Sequence, residues 1–298
     1  MSDRGAVSWR SLLYVPSNRP KFVASAVSRG ADAIILDLED SVAREQKADA
    51  RRGLRKAVES VGKGPHDVLV RVNRRWTDLV ADLEVAVHER VTAINLPKVD
   101  DPAVVRVVAE ILDEVEARRG LPRGHTQLFV RIEDARGVRR IDEVLAASDR
   151  VVATAIGTGD LSIGSRMDPA GGAIRHAFVE VTTAALAQGI RPMGLAGLIV
   201  DFGDVDAFRR VAEDARSLGS RGAPCIHPSQ VPVLNDVFGV DPAEIAAARE
   251  IVEAFEAAAA EGRGSLMHDG MFIDVANYNA AVRLLASVGD DREPVTAG

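Results

Sequence analysis

Eight short runs rich in Val, Ile and Leu set the limits on what this chain can fold into. They read SLLYV (11–15), AIILDL (33–38), VLVRVN (68–73), VTAINLP (91–97), QLFVRIE (127–133), VVATAIG (151–157), GLAGLIVD (194–201) and APCIHP (223–228). Near-continuous apolar strands belong to parallel sheets covered on both faces, and parallel neighbours need crossover segments, usually helices. The connecting segments have that character. Residues 101–117 place Val104, Val105, Val108, Ile111, Leu112 and Val115 on one face at helical spacing. That segment starts with Asp101 as N-cap and Pro102 at the first helical position. A later one starts the same way with Asp241 and Pro242, adds Glu244 at capping-box spacing, carries the stripe Ile245, Ile251, Val252 and Phe255, and stops at Gly262.

Eight strands alternating with helices in a chain of 298 residues predict a (β/α)8 TIM barrel. A doubly wound open sheet shares the pattern, but no Gly-rich dinucleotide fingerprint follows the first strand. The tail is too long for one closing helix. The expected division is a barrel over residues 1–262 and a C-terminal helical extension over 263–298.

Composition narrows the function classes. A net charge of −7 argues against nucleic acid as a partner. The lone Cys225 excludes an internal disulfide and a Cys-rich zinc site and fits a reducing compartment. No apolar run has signal-peptide length at the N-terminus or membrane-spanning length elsewhere, so the expectation is a cytoplasmic protein without a membrane partner.

In such a barrel the C-terminal strand ends line the site. Those ends carry Pro16-Ser17-Asn18-Arg19, the acids Asp37, Glu39 and Asp40, then Arg71 and Asn73, Lys98, Arg131 and Glu133, Gly157-Thr158-Gly159-Asp160, Asp201 and His227. Glu133 and Asp160, on adjacent strand ends, are a candidate pair of hard ligands for Mg²⁺, with Mn²⁺ as the alternative. Both could equally cap helices. Gly159, in the GTGD turn, would let backbone approach a ligand. Arg71 sits among apolar residues, where a guanidinium needs a partner: a substrate carboxylate, or a salt bridge to Asp37 or Glu39. His227 reads as a hydrogen-bonded structural group before a base, Cys225 as strand packing, and Asp149 and Asp168 as loop or cap residues.

The strings RSLLYVPSNRP, GADAIILDLEDSV, VRVN, LPKV, RIEDARGV, CIHPSQ and DGMFIDVANYNAA occur in this order over residues 10–281. In that sequence of motifs the chain resembles the citrate lyase beta-subunit–like branch of the HpcH/HpaI aldolase family. The resemblance implies a Mg²⁺-dependent barrel that makes or breaks a carbon–carbon bond in a 3-hydroxyacyl-CoA such as a citryl, malyl or citramalyl thioester, or in a small hydroxy or keto acid. It places the metal on Glu133 and Asp160 and substrate on Arg71, with Arg19, Asn73 and Gly159 as further substrate-binding positions. Asp37 and Glu39 become catalytic wall, and Asp274, in the "ID" motif, becomes an acid/base reaching a neighbouring subunit of a homotrimer or hexamer. Arg19, Lys21, Lys47 and Arg51 could meet a phosphorylated carrier.

One element departs from the family pattern. Where an acidic pair is usual, this chain reads GTGDLSIG, with Gly159 before Asp160, and SRMDPAGG follows. That departure implies an altered substrate. The resemblance leaves two further readings open: a thioesterase that cleaves the CoA bond after condensation, and a non-catalytic binding subunit.

Overall fold

The computed structural model describes residues 7–197 and 203–288. It divides into two compact units, Met1–Phe238 and Gly239–Gly298. In the first, eight strands alternate with helices: β1 Ser11–Pro16, α1 Pro20–Ala26, β2 Ala33–Asp37, α2 Lys47–Val61, β3 Asp67–Arg71, α3 Trp76–Ala86, β4 Ala93–Leu96 and α4 Pro102–Arg119. The series continues through β5 Gln127–Ile132, α5 Ala135–Arg139, α6 Ile141–Leu145, β6 Val151–Ile156, α7 Thr158–Ser165 and α8 Gly172–Ala187. It ends with β7 Arg191–Met193, α9 Val205–Ser217, β8 Ala223–Cys225 and α10 Gln230–Val237.

The strands run parallel in the order β7-β6-β5-β4-β3-β2-β1-β8. Between β7 and β8 the ring is joined by two backbone hydrogen bonds, from Gly194 N–H to Gly222 O (2.8 Å) and from Arg221 N–H to Pro192 O (2.9 Å). This is the predicted (β/α)8 barrel.

The period-two alternation of a strand decides which residues reach its axis. Leu12, Ala33, Ile35, Leu69, Ala93, Phe129, Ala153 and Ala155 form an inner core with Trp9 and Met193. The alternate residues Leu13, Ile34, Leu36, Val68, Val70, Ile94, Leu128 and Val130 join the larger core against the helices. Extending the inner parity toward the strand ends gives Tyr14, Asp37, Arg71, Asn95, Arg131, Glu133 and Gly157. The barrel is thus plugged with hydrocarbon at one level and polar at the next.

One sequence expectation is corrected. The seventh strand is Arg191–Met193, three residues before the predicted run at 194–201. Gly194 has φ 113°, a conformation that favours glycine and ends the strand, and Asp201 lies outside the described residues. The two compact units divide at 238/239, so the helix that follows belongs to the second. The reason is packing: α11 (Pro242–Ala260) buries Ala248, Val252 and Phe255 against Tyr278, Val282 and Leu285 of α12 (Val275–Ala286). The second unit also holds a hairpin, β9 Leu266–His268 and β10 Met271–Ile273, whose two turn residues Asp269 and Gly270 have φ 47° and 79°. Among the described residues no helix is long and apolar enough to cross a membrane.

Candidate active site

The acidic stretch after β2 resolves into three different carboxylates. Asp37 pairs in register with Arg71, and the Arg71 fork donates from Nε to Oδ1 and from Nη2 to Oδ2, both at 2.7 Å. The backbone N–H groups of Glu39 (2.8 Å) and Ser41 (3.0 Å) donate to the same carboxylate. Burial pushes Asp37 up, but the Arg71 fork and the hydrogen bonds outweigh it and hold its carboxyl below the usual range. A carboxylate so occupied orients Arg71 and shapes the loop; it is not placed to shuttle protons.

Glu39 is held differently. It is 6% exposed, and burial pushes it up to about 7 against the pull of Arg71 and Lys98. Its Oε1 accepts from Lys98 Nζ at 2.6 Å, while Oε2 lies 3.1 Å from Arg71 Nη1 without hydrogen-bond geometry. Asp40 is more open and meets Arg71 Nη1 at 3.3 Å and Lys98 Nζ at 3.4 Å. Lys98 holds φ 52°, a left-handed conformation unusual for a side chain of its size, of the kind that concentrates at functional sites. Lys47 Nζ braces the loop by donating to the carbonyls of Leu38 and Glu39, each at 2.9 Å.

Across the mouth, Tyr14 stands between two guanidinium groups. Arg71 lies 4.6 Å from its ring centroid and Arg131 lies 6.0 Å from it. The Tyr14 hydroxyl accepts from Arg131 Nη1 (2.8 Å) and Asn95 Nδ2 (2.9 Å). Arg131 Nε also donates to Glu133 Oε1 at 2.9 Å. Glu133 is 5% exposed, and its second oxygen, Oε2, is buried without a hydrogen-bond partner. Tyr14 and the pairing role of Lys98 escape a reading of sequence alone. Arg131 gave the same signal as Arg71, a guanidinium inside an apolar run.

The chemistry of these groups fits Mg²⁺. The orphaned Glu133 Oε2 is the kind of buried acceptor a cation satisfies. Asp160, exposed in the first turn of α7 at the end of the adjacent strand, offers a second hard oxygen. Among the described residues no group of three or more His, Cys, Asp or Glu is placed to hold a metal. Mg²⁺ needs no such cage, being held by one or two carboxylates with water and substrate completing the octahedron. Gly157 shapes the cradle, because a Cβ there would stand 2.7 Å from Glu133 Cγ.

Other predicted residues lie differently. Asn73 is buried, its Nδ2 donating to Leu38 O (3.0 Å) and Asp82 Oδ2 (2.6 Å), so it secures the loop after β3. Arg51 is likewise engaged by Asp82 (2.7 Å) and Asp78 (3.4 Å). Arg19 and Lys21 are exposed at the start of α1. Gly159 accepts from Ser162 Oγ at its carbonyl (2.8 Å). His227 bonds Ser229 Oγ at 2.7 Å through Nδ1, and Cys225 is buried, its thiol pushed up to about 12 by burial. In the second unit, Asp274 caps α12 by accepting from Ala276 (2.9 Å) and Asn277 (3.1 Å), in a box with the Asn277 side chain.

Residues 10–228 match the model of the HpcH/HpaI aldolase/citrate lyase family. The chain belongs to that family. The chain is similar to an L-malyl-CoA/beta-methylmalyl-CoA lyase of Rhodobacter capsulatus, 34% identical over 91% of this chain and 92% of that protein. A (3S)-malyl-CoA thioesterase of Cereibacter sphaeroides is also 34% identical, over 93% of this chain and 94% of the other. Among solved structures, the protein CitE from Mycobacterium tuberculosis, in complex with magnesium, acetoacetate and coenzyme A, superposes with a TM-score of 0.74 at 29% identity, covering 96% of this chain and 99% of that one.

Proposed function

We infer that the protein is a Mg²⁺-dependent carbon–carbon lyase acting on a 3-hydroxyacyl-CoA, with malyl-type thioesters as the leading substrate class. The observation that carries this is Glu133: a buried carboxylate with one oxygen tied to Arg131 and the other unpartnered, on a barrel mouth that holds two arginines, a lysine and an acid near neutrality. Bound by Glu133 and Asp160, Mg²⁺ would supply Lewis acidity at the oxygens of the oxo-acid half of the substrate.

The chain's own groups supply the rest. In the cleavage direction a base takes the hydroxyl proton, the electron pair of the carbon–carbon bond passes to the thioester's α-carbon, and an acid returns a proton there. Glu39, pushed to about 7, suits the base, since a group titrating near the working pH transfers protons best. Arg71 and Lys98 keep positive charge beside Glu39 in either protonation state. Burial opposes the charge on Arg71, but Asp37, Tyr14 and Glu39 more than offset it, so the guanidinium remains a fixed cation for the developing anion. Asp274 of a neighbouring copy is the proposed acid at the α-carbon, in a homotrimer or hexamer; Arg19 and Gly159 are proposed substrate contacts.

A thioesterase is the second reading, favoured by equal identity to the Rhodobacter lyase and the Cereibacter thioesterase. Incubation with malyl-, citramalyl- and citryl-CoA, with oxo acid and free CoA measured separately, decides between them. A lyase releases oxo acid with the acyl-CoA fragment; a thioesterase releases free CoA. Silence across the panel in protein that binds Mg²⁺ would contradict both.

A further inference from the structure

Arg131 brings to the mouth a second guanidinium that the chemistry above does not use. Its side chain is only 13% exposed, on the inward parity of β5. Nε is spent on Glu133 Oε1 (2.9 Å) and Nη1 on the Tyr14 hydroxyl (2.8 Å), itself braced by Asn95 Nδ2 (2.9 Å). Nη2 has no acceptor among the described residues. It faces Gly157, 3.0 Å from where a Cβ would stand, at the start of the turn that leads to Asp160.

Arg71 is committed differently. Both Nε and Nη2 are taken by Asp37, and Nη1 faces Glu39 and Asp40. It has charge to offer but no free pair of parallel donors. Arg131 has a rigid mounting and an idle nitrogen beside the metal-cradle carboxylate. A planar anion is the natural partner for a guanidinium edge.

We propose that Arg131, mounted on Tyr14, binds the free carboxylate of the oxo-acid half of the substrate and so makes that carboxylate a condition of recognition. Glu133 divides its oxygens accordingly, Oε1 to Arg131 and Oε2 to the cation. The inference rests on the lyase reading and assigns to Arg131 the carboxylate contact that the sequence pattern gave to Arg71.

The test is calorimetric binding of oxaloacetate to the full-length Mg²⁺-loaded protein, with metal affinity followed separately by Mn²⁺ electron paramagnetic resonance. Loss of one charge-assisted contact in Arg131→Met should weaken oxaloacetate by about 10- to 100-fold. Mn²⁺ affinity should stay within about tenfold, the low end of what an outer-sphere change costs. Arg131→Lys, which keeps the charge without the fork, should recover part of the loss. Tyr14→Phe keeps the ring and frees Nη1; it should weaken oxaloacetate by about 3- to 10-fold, the worth of one hydrogen bond, and serves if Arg131→Met does not fold. Oxaloacetate affinity unchanged in these variants would overturn the inference, as would a loss that follows the loss of Mn²⁺ fold for fold, because Arg131 would then act only through Glu133. If the unsubstituted protein holds Mn²⁺ and binds no oxo acid, the lyase reading and the inference fall together. If it turns over substrate and Arg131→Met binds equally well, the inference alone falls.

Discussion

Gly157→Ala tests the metal cradle without touching a ligand. Gly157 has φ −84° and ψ 83°, so alanine incurs no left-handed penalty and the effect is purely steric. The added Cβ would sit 2.7 Å from Glu133 Cγ, 3.0 Å from Arg131 Nη2 and 3.3 Å from Glu133 Cδ. Carbon atoms pack at about 3.5–4.0 Å, so the first contact is short by roughly 1 Å. The strand end cannot easily yield, because Gly157 N–H donates to Ile132 O at 2.7 Å. Glu133 is equally restrained, with Oε1 on Arg131. Overpacking of this kind costs roughly 1–3 kcal/mol. If the strain is relieved by turning Glu133 aside, Mg²⁺ affinity falls by about 5- to 150-fold. If Glu133 holds, the same cost appears as a lower melting temperature. Calorimetric Mg²⁺ titration beside a thermal melt reads both, and Gly164→Ala, a helical position with nothing within 4 Å, is the control. A Gly157→Ala protein with metal affinity within twofold, an unchanged melt and unchanged turnover would refute the cradle.

Three further outcomes follow from the same geometry. Arg71→Met strands the buried Asp37 carboxylate and should cost about 3–5 kcal/mol of stability at neutral pH by urea denaturation. Because Asp37 is held below its ordinary 3.8, its stabilisation is present above that value and lost as pH falls through the lower folded value, so the penalty should shrink in acid; a pH-independent penalty would contradict it. Glu39 has the opposite sign: the folded state holds its proton more tightly than the unfolded chain, so this group's contribution falls as pH rises from the ordinary 4.5 through about 7. Turnover should show an acidic limb near that value, and Glu39→Gln should abolish the limb and lower kcat by about 10²–10⁴; an unmoved limb would exclude Glu39 as base. Asp274→Asn should leave the melt within about 0.5 kcal/mol, since Asn caps a helix as well as Asp, yet lower kcat sharply if the carboxylate moves a proton.

Most of the barrel was legible because buried parallel strands are short and nearly all apolar, as AIIL before Asp37 is. The seventh strand was not, since its three residues, Arg191-Pro192-Met193, carry less hydrophobic signal than the run after them. Helix α11 was legible as a helix, but an apolar stripe does not say which surface receives it, and the stripe belongs with α12. The hairpin had a cue in Asp269-Gly270 that a helical reading of the tail passed over. At the site, single residues could be picked out by their surroundings, as Arg71 and Glu133 were. Their pairings could not, because they depend on register: Asp37 lies beside Arg71 only once β2 and β3 are aligned. The same register divides the DLED acids into a saturated brace, a titrating group and an exposed partner.

The most direct measurement is the rate of malyl-CoA cleavage as Mg²⁺ is returned to chelator-treated protein, followed alongside metal occupancy. A lyase built on Glu133 and Asp160 predicts no oxo acid without metal, a rate that rises in step with occupancy, and loss of both in Glu133→Gln. Oxo acid formed at full rate in the metal-free protein, or by Glu133→Gln, would contradict it.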